Sequence, residues 1–391
     1  MSKEKKHALS EAEGLIPEFR FPEFEKDGEW KEKTLKDVAD SESSSLALNK
    51  LEHKENGYPV YGADSIVGYI DEFQQEEKYI SIVKDGSGVG RLNLCQPKSS
   101  ILGTLAYIKS KDVKRFNLDW IYYLMNTIDF TFYKKGSGIP HIYYSDFKIE
   151  PIGLPKPEEQ QKIASCLSSL DELIAAHNEK LDALKDQKKG LMQNLFPQEG
   201  QKVPNYRFPE FENDREWELK PLEEVAKITT GNKDTQDKID DGKYPFFVRS
   251  QTIERISSYS FDGEAILTSG DGVGVGKIYH YIIGKFDYHQ RVYCIYDFDK
   301  NIEGKFIFYY FSEHFYQRVM QLSAKNSVDS VRRAMITLMP IALPPTKKEQ
   351  QKIASCLSAV DELIIAQSEK IEQLQQHKKG LMQGLFPKIE N

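Results

Sequence analysis

Between Glu158 and Phe196, apolar residues fall at Ile163, Leu167, Leu170, Ile174, Leu181, Leu184, Leu191 and Leu195. With the polar His177 and Lys188 filling the gaps, the steps alternate four and three. That is the period of a helix laying a narrow apolar stripe against a partner helix. Pro157 suits the first turn, where its missing N–H costs nothing. The pattern returns at Ile353, Leu357, Val360, Ile364, Ile371, Leu374, Leu381 and Leu385, with Gln367 and Lys378 at the polar positions. Each helix spans roughly 55–60 Å at 1.5 Å per residue. A stripe so long and narrow needs cover, and the nearest source is the other copy. Two-fold related copies would pair antiparallel. The other possibility is that each helix packs separately on its own domain.

The two stripes belong to a duplication. Residues 160–197 and 350–387 are identical at 26 of 38 positions. Arg20-Phe21-Pro22-Glu23-Phe24-Glu25 recurs as Arg207-Phe208-Pro209-Glu210-Phe211-Glu212, and Trp30 as Trp217. Tyr58-Pro59-Val60-Tyr61 matches Tyr244-Pro245-Phe246-Phe247, and Gly86–Arg91 matches Gly272–Lys277. Each half is a variable region of about 150 residues followed by the preserved segment, so a fold of two equivalent halves is expected. A shared scaffold with divergent remaining residues suggests two copies that recognise different things.

The variable regions, roughly 20–155 and 207–344, read as mixed structure rich in strands. Tyr79–Val83 and Arg291–Tyr296 carry β-branched and aromatic residues flanked by turn formers. Asp119–Met125 and Phe306–Phe311 are candidate helices, and the glycines of Asp85–Gly90 and Ser269–Gly276 mark tight turns between strands. The expected class is α+β: two mixed α/β domains in tandem repeat, separated by two long helices pairing as an antiparallel coiled coil.

Composition narrows the function. No apolar run is long enough to cross a membrane, and residues 1–14 lack the apolar stretch of a signal peptide, so a cytoplasmic protein is expected. The four cysteines form no framework and have no metal-ligand spacing. Cys166 and Cys356 are repeat-equivalent and sit beside the helix seam, as small buried thiols would. The net charge of −7 argues against a chain that clings to phosphate over its whole surface. Local basic clusters remain at Lys109, Lys111, Lys114 and Arg115, at Lys134 and Lys135, and at Lys325, Arg332 and Arg333. Taken alone, each reads as a solvated face. Gly272–Lys277 departs from a phosphate loop, because Ile278 stands where Ser or Thr is needed. The dinucleotide-binding glycine pattern is also absent. So are the Asn/Asp-Pro-Pro-aromatic motif of amino-methyltransferases and the Pro-Asp start of the common nuclease motif.

The order of variable region, long helix with QQKIASCLSSLDELI and KKGLMQNLF, second variable region and second helix resembles the specificity subunit of type I restriction–modification systems. Further matches are Gly68-Tyr69-Ile70, the loop Lys84–Gly90, Lys135-Gly136-Ser137-Gly138-Ile139-Pro140-His141 and His289-Gln290-Arg291-Val292. The second copy departs at Asn326-Ser327-Val328-Asp329-Ser330. The resemblance implies a non-catalytic subunit in which each variable region is a target-recognition domain for one half of a split sequence in double-stranded DNA. It divides the chain into an N-terminal tail with the first recognition domain (1–156), a central spacer helix (157–197), a second recognition domain (198–345) and a C-terminal spacer helix (346–391). The helices would set the spacing and dock two methyltransferase subunits, joined by motor-nuclease subunits. S-adenosylmethionine, ATP and Mg would be bound by those partners, with no cofactor in this chain. The alternative is a two-headed coiled-coil protein-interaction module that never reads DNA. Base edges are read by Arg, Lys, Asn, Gln and Ser, and other contacts go to phosphates. The candidates in the first domain are Lys84, Ser87, Arg91, Lys134, Lys135, Ser137 and His141. In the second they are Arg249, Gln251, Lys277, His289, Gln290, Arg291, Lys325, Asn326 and Arg332.

Overall fold

The computed structural model describes residues 15–51, 54, 56–136, 138–323 and 330–389. The first repeat runs through β1 (Lys31–Thr34), α1 (Leu35–Val38), β2 (Ala39–Ser43), β3 (Tyr58–Tyr61), β4 (Ile66–Ile70), β5 (Tyr79–Val83), β6 (Leu92–Cys95), β7 (Ser100–Ile101), β8 (Leu105–Ser110), α2 (Leu118–Met125), α3 (Tyr144–Phe147) and β9 (Pro151–Leu154). It ends in the long helix α4 (Pro157–Leu195). The second runs through β10 (Glu218–Pro221), β11 (Lys227–Thr230), β12 (Tyr244–Phe247), β13 (Ile253–Ile256), β14 (Phe261–Ser269), β15 (Tyr279–Tyr288), β16 (Val292–Tyr296), α5 (Gly304–Leu322), α6 (Arg333–Thr337) and β17 (Pro340–Leu343). It ends in α7 (Lys347–Leu385). The strand expected at Tyr79–Val83 is β5, and the one expected from Arg291 begins one residue later as β16. The helix expected at Phe306–Phe311 is only the first part of α5.

The two repeats share one sheet plan and differ at one joint. In the second, six strands run in the order β11-β16-β14-β15-β12-β13. There β15 pairs antiparallel with β14 along its length and parallel with β12 at Asp287 and Tyr288. The first repeat splits the same plan into β2-β8-β5-β6 and β4-β3-β7. Its β6 takes the antiparallel partner and its β7 the parallel one, β3. Between them lies Gln96–Ser99, where Pro97 has no N–H to give a ladder and Lys98 turns at φ 54°.

A clasp explains why the Arg-Phe-Pro-Glu-Phe motif recurs. Arg207 donates to both oxygens of Glu349, each at 2.8 Å, and the Trp217 indole donates to Glu349 Oε1 at 3.2 Å. Arg20 grips Glu159 in the same bidentate way at 2.8 and 2.9 Å. The next residue on each long helix is a glutamine that caps a domain helix. Gln160 accepts from the Asn117 N–H and Gln350 from the Glu303 N–H, both at 2.9 Å. Each variable region is thereby pinned to the start of its own long helix by residues that are neighbours only in space.

The chain forms two compact units, Met1–Asn178 with Glu369–Asn391 and Glu179–Ser368. These boundaries differ from those expected at 156/157 and 345/346, because both long helices run through both units. The reason lies in the cores. In the first unit, Ile163 and Leu167 of α4 pack in one cluster with Trp30, Trp120 and Ile152, and with Leu385 and Phe386 from the end of α7. In the second, Ile353 and Leu357 of α7 cluster with Trp217, Phe306 and Ile341, and with Met192, Leu195 and Phe196 from the end of α4. Each unit therefore contains an antiparallel helix pair, and the end of one repeat's helix completes the core of the other repeat. The expected pairing of the two helices holds. The seam residues at the helix ends serve a domain core as well as the pair. Leu170, Ile174, Leu181, Leu184, Leu191, Ile364 and Leu381 are half-buried, while Val360, Ile371 and Leu374 are buried.

The two seam lysines are paired. Lys188 meets Asp361 at 2.6 Å in the second unit, and Lys378 meets Asp171 in the first. The Tyr309 hydroxyl donates to Asp361 at 2.7 Å and the Tyr123 hydroxyl to Asp171 at 2.8 Å. Each lysine also lies over the same tyrosine ring, at 5.6 and 5.4 Å. Burial first, and then the carboxylate, push both phenols above their ordinary pKa, so both stay protonated as donors. A polar group at a seam position fixes register, because any slip leaves it without its partner. The cysteines depart from expectation. Cys166 and Cys356 are only partly buried, while Cys95 and Cys294, inside the sheets, are the buried thiols.

Candidate nucleic-acid interface

In the first unit the loop after β5 is closed by its own backbone. The Val83 N–H donates to the Arg91 carbonyl and the Gly90 N–H to the Val83 carbonyl, both at 2.9 Å. Gly90 sits at φ 90°, and a Cβ there would lie 2.7 Å from Phe130, so this turn needs glycine. A second segment is stitched to the loop. Lys135 and His141 exchange N–H···O bonds at 2.9 Å, Gly86 donates to the Pro140 carbonyl at 2.9 Å, and Ile142 donates to the Lys84 carbonyl at 2.9 Å. Six of the seven candidates of this unit, Lys84, Ser87, Arg91, Lys134, Lys135 and His141, are thus brought onto one pair of adjoining segments. Ser137 lies outside the described residues.

Carboxylates lie beside Lys84, Arg91, Lys135 and His141. Asp85 lies 3.5 Å from His141 Nδ1 and 3.9 Å from Lys84 Nζ. Lys135 pairs with Asp146 at 2.7 Å, and Arg91 with Asp64. Ser87 is exposed at the tip. The cluster at Lys109 and Lys111 is elsewhere on the unit and is spent on Glu42 and Asp40, at 2.8 and 3.4 Å.

The second unit builds the same arrangement from other residues. The Gly270 N–H donates to the Arg291 carbonyl at 2.8 Å, the Val331 N–H to the Gly270 carbonyl at 2.7 Å, and Asp271 bridges to Ser330. Asp271 stands where Asp85 stands in the first loop. Here it takes Arg249 at 2.8 Å and Arg291 at 2.5 Å. Burial pushes the Asp271 carboxyl up, but the two guanidinium groups outweigh it and hold the pKa below its usual value. Lys277 lies over the Tyr316 ring at 5.3 Å. Arg332 is exposed and donates to the Leu322 carbonyl at 3.3 Å, and Gln251, two residues past Arg249, is exposed. Lys325 and Asn326 lie outside the described residues.

Among the described candidates, one is not on the surface. His289 is 2% exposed. Its Nδ1 accepts from the Arg291 N–H at 3.0 Å, and its Nε2 is 3.6 Å from Asp234. The neighbouring Gln290 reaches the same aspartate at 3.0 Å from an exposed position. His289 therefore shapes the turn that carries Arg291 and offers no free edge to a base. The backbone explains the correction: three residues join β15 to β16, and of these His289 points inward while Gln290 and Arg291 are exposed.

Sequence reasoning passed over Asp271, which holds Arg249 and Arg291, and Asp85, which lies beside Lys84 and His141 at the same loop position. Their signal was present, since the same residue type recurs at the same loop position in both copies. Asp64 and Asp146 carry no such mark. Among the described residues, no group of three or more His, Cys, Asp or Glu is placed to hold a metal ion, and no helix is long and apolar enough to cross a membrane. What both loop pairs present is guanidinium, ammonium, amide and hydroxyl donors on a braced backbone, the chemistry that meets phosphates and base edges.

The family model for the type I restriction modification DNA specificity domain matches the chain twice, at residues 27–186 and 214–376. The chain is similar to the type I restriction enzyme MjaVIII specificity subunit of Methanocaldococcus jannaschii, 28% identical over 345 residues, 79% of this chain and 78% of that protein. It is also similar to the putative MjaX specificity subunit of that organism, 24% identical over 404 aligned positions, 92% and 93% of the two chains. A solved structure of a type I restriction-modification S subunit from M. genitalium has the same fold, with a TM-score of 0.72 at 14% identity, covering 96% of this chain and 100% of that one.

Proposed function

This chain belongs to the type I restriction–modification DNA specificity family, and from that premise we propose that it is the subunit that selects the DNA sequence for a restriction–modification complex. Each unit reads one half of a split target through its loop pair: Lys84–Arg91 with Lys134–His141 in the first, Gly270–Lys277 with Arg249, Arg291 and Arg332 in the second. The observation that carries this reading is the duplication of the donor-bearing loop pair on a shared framework with different side chains. The same scaffold presents serine and lysines in one copy, and arginines and a valine in the other.

The chain contributes recognition and no chemistry of its own. Methylation and cleavage, with S-adenosylmethionine, ATP and Mg, fall to methyltransferase and motor-nuclease partners in the cytoplasm. Two methyltransferase subunits dock on the paired helices, which also set the distance between half-sites. The net charge of −7 suits a subunit that shares its DNA contacts with those partners.

The test is a methylome of cells that express this chain with its partner subunits. The expected result is one split motif, two short specified halves around a fixed unspecified spacer, that disappears when this chain is deleted. A methylation pattern indifferent to the chain would sink the proposal. Capture of unrelated proteins in place of methyltransferase subunits would favour the interaction-module alternative.

A further inference from the structure

We infer that Val273 is a specificity-determining residue that packs on the 5-methyl group of a thymine in the half-site read by the second unit. The inference rests on the proposed DNA-reading role of that unit. Among the described residues, Val273 is the most exposed large apolar one, at 101%. It stands at the tip of the loop whose base is Asp271 with Arg249 and Arg291.

The exposure is built into the backbone. The Val275 N–H donates to the Gly272 carbonyl at 3.1 Å and the Lys277 N–H to the Gly274 carbonyl at 3.0 Å. Val275, two residues on, turns inward and is 3% exposed. Gly272 sits at φ 83°, where a side chain is strained, and a Cβ on Gly274 would fall 2.0 Å from the Ile278 side chain. The two hydrogen bonds and the buried Val275 hold the turn with the Val273 isopropyl group outside it. A merely solvated turn favours Asn, Asp or Ser at its tip, and the first unit has Ser87 there. A β-branched side chain on a braced tip is a stiff apolar probe.

The DNA offers such a probe one clear partner. Phosphates and most base edges are polar, but each A·T pair carries the thymine methyl in the major groove. The arginines beneath the tip draw the loop to the duplex, and the valine meets the methyl. Ser87, with a hydroxyl that donates and accepts, has no such preference.

The experiment uses the assembled complex and duplexes of the mapped target in which each thymine of the second half-site is replaced in turn by uracil, which lacks only that methyl. At one position the exchange should weaken binding about fourfold, the worth of one buried methyl-sized group. Val273→Ala should bind the original duplex with a similar loss and no longer distinguish thymine from uracil there. Its response to substitutions in the first half-site should equal that of the unaltered complex. The inference is overturned if the second half-site has no A·T pair, if every uracil duplex binds as well as the original, or if Val273→Ala keeps the discrimination. Each of those results leaves the split-target reading standing. Failure to find any half-site that depends on the second unit would overturn both.

Discussion

Arg207 and Glu349 lie far apart in sequence, yet their side chains are 8% and 1% exposed and bonded through two parallel hydrogen bonds. Such a pair contributes less to stability than its geometry suggests, because both charges had to leave water. Breaking it is a different matter, since the remaining charge stays buried without compensation. Arg207→Met should therefore cost about 3 kcal/mol of unfolding free energy. The double change Arg207→Met with Glu349→Leu should recover part of that loss, because it buries no lone charge but leaves the Trp217 indole N–H without its acceptor. Chemical denaturation of the three variants checks this. Equal losses in the single and double variants would show that packing, not charge, sets the cost. His289 carries a lesson at the same scale. Its residue type suggested contact with DNA, but the ring is buried and bonded to its own turn at the Arg291 N–H.

The long helices look like a separate spacer in sequence, and at the scale of elements they are parts of both domains. Leu385 and Phe386 end α7 inside the core that Trp30 and Trp120 begin. Phe386 meets Trp30 edge-on at 6.4 Å. Phe386→Ala should destabilise the first unit by about 3–5 kcal/mol, as large-to-small changes in tight cores do. Hydrogen exchange should then show lost protection in β1, β9 and α2, with β10, β17 and α5 unchanged. Loss confined to the last turns of α7 would mean that the helix end merely rests on the domain. The repeated Lys–Asp–Tyr groups explain how the antiparallel register is held where the stripe is polar. Their lysines were legible as exceptions to the heptad, and their partners were not.

At the scale of the whole molecule the two recognition regions repeat their frameworks and diverge elsewhere. Replacing Pro204–Pro344 with a related region should change one half of the methylated motif and leave the other half intact. The incoming region must supply apolar equivalents of Trp217 and Phe306 to receive Phe196 from α4. A change in both halves of the mapped motif would show that the domains do not read independently. Duplicating a heptad in each helix, Leu184–Gly190 and Leu374–Gly380, keeps the seam and adds about 10 Å at 1.5 Å per residue. That corresponds to about three base pairs and a rotation of roughly 100°. The expected outcome is a longer spacer or loss of methylation. Full methylation of the original motif would show that the helices do not measure the spacing.

The sequence by itself determined the duplication, the length and phase of the two helices, the strand at Tyr79–Val83, and the glycine loops that carry six of the seven first-unit candidates. Those features are local or periodic, so residue order alone carries them. Only the tertiary structure decided that each helix end completes the other repeat's core. An apolar stripe has the same period whether it faces a helix or a sheet. It also decided which carboxylate holds each cation, as with Arg91 and Asp64 or Lys135 and Asp146, and that His289 is buried while Val273 stands clear of the surface. Burial and pairing are set by contacts between residues remote in the chain, and no local pattern encodes them.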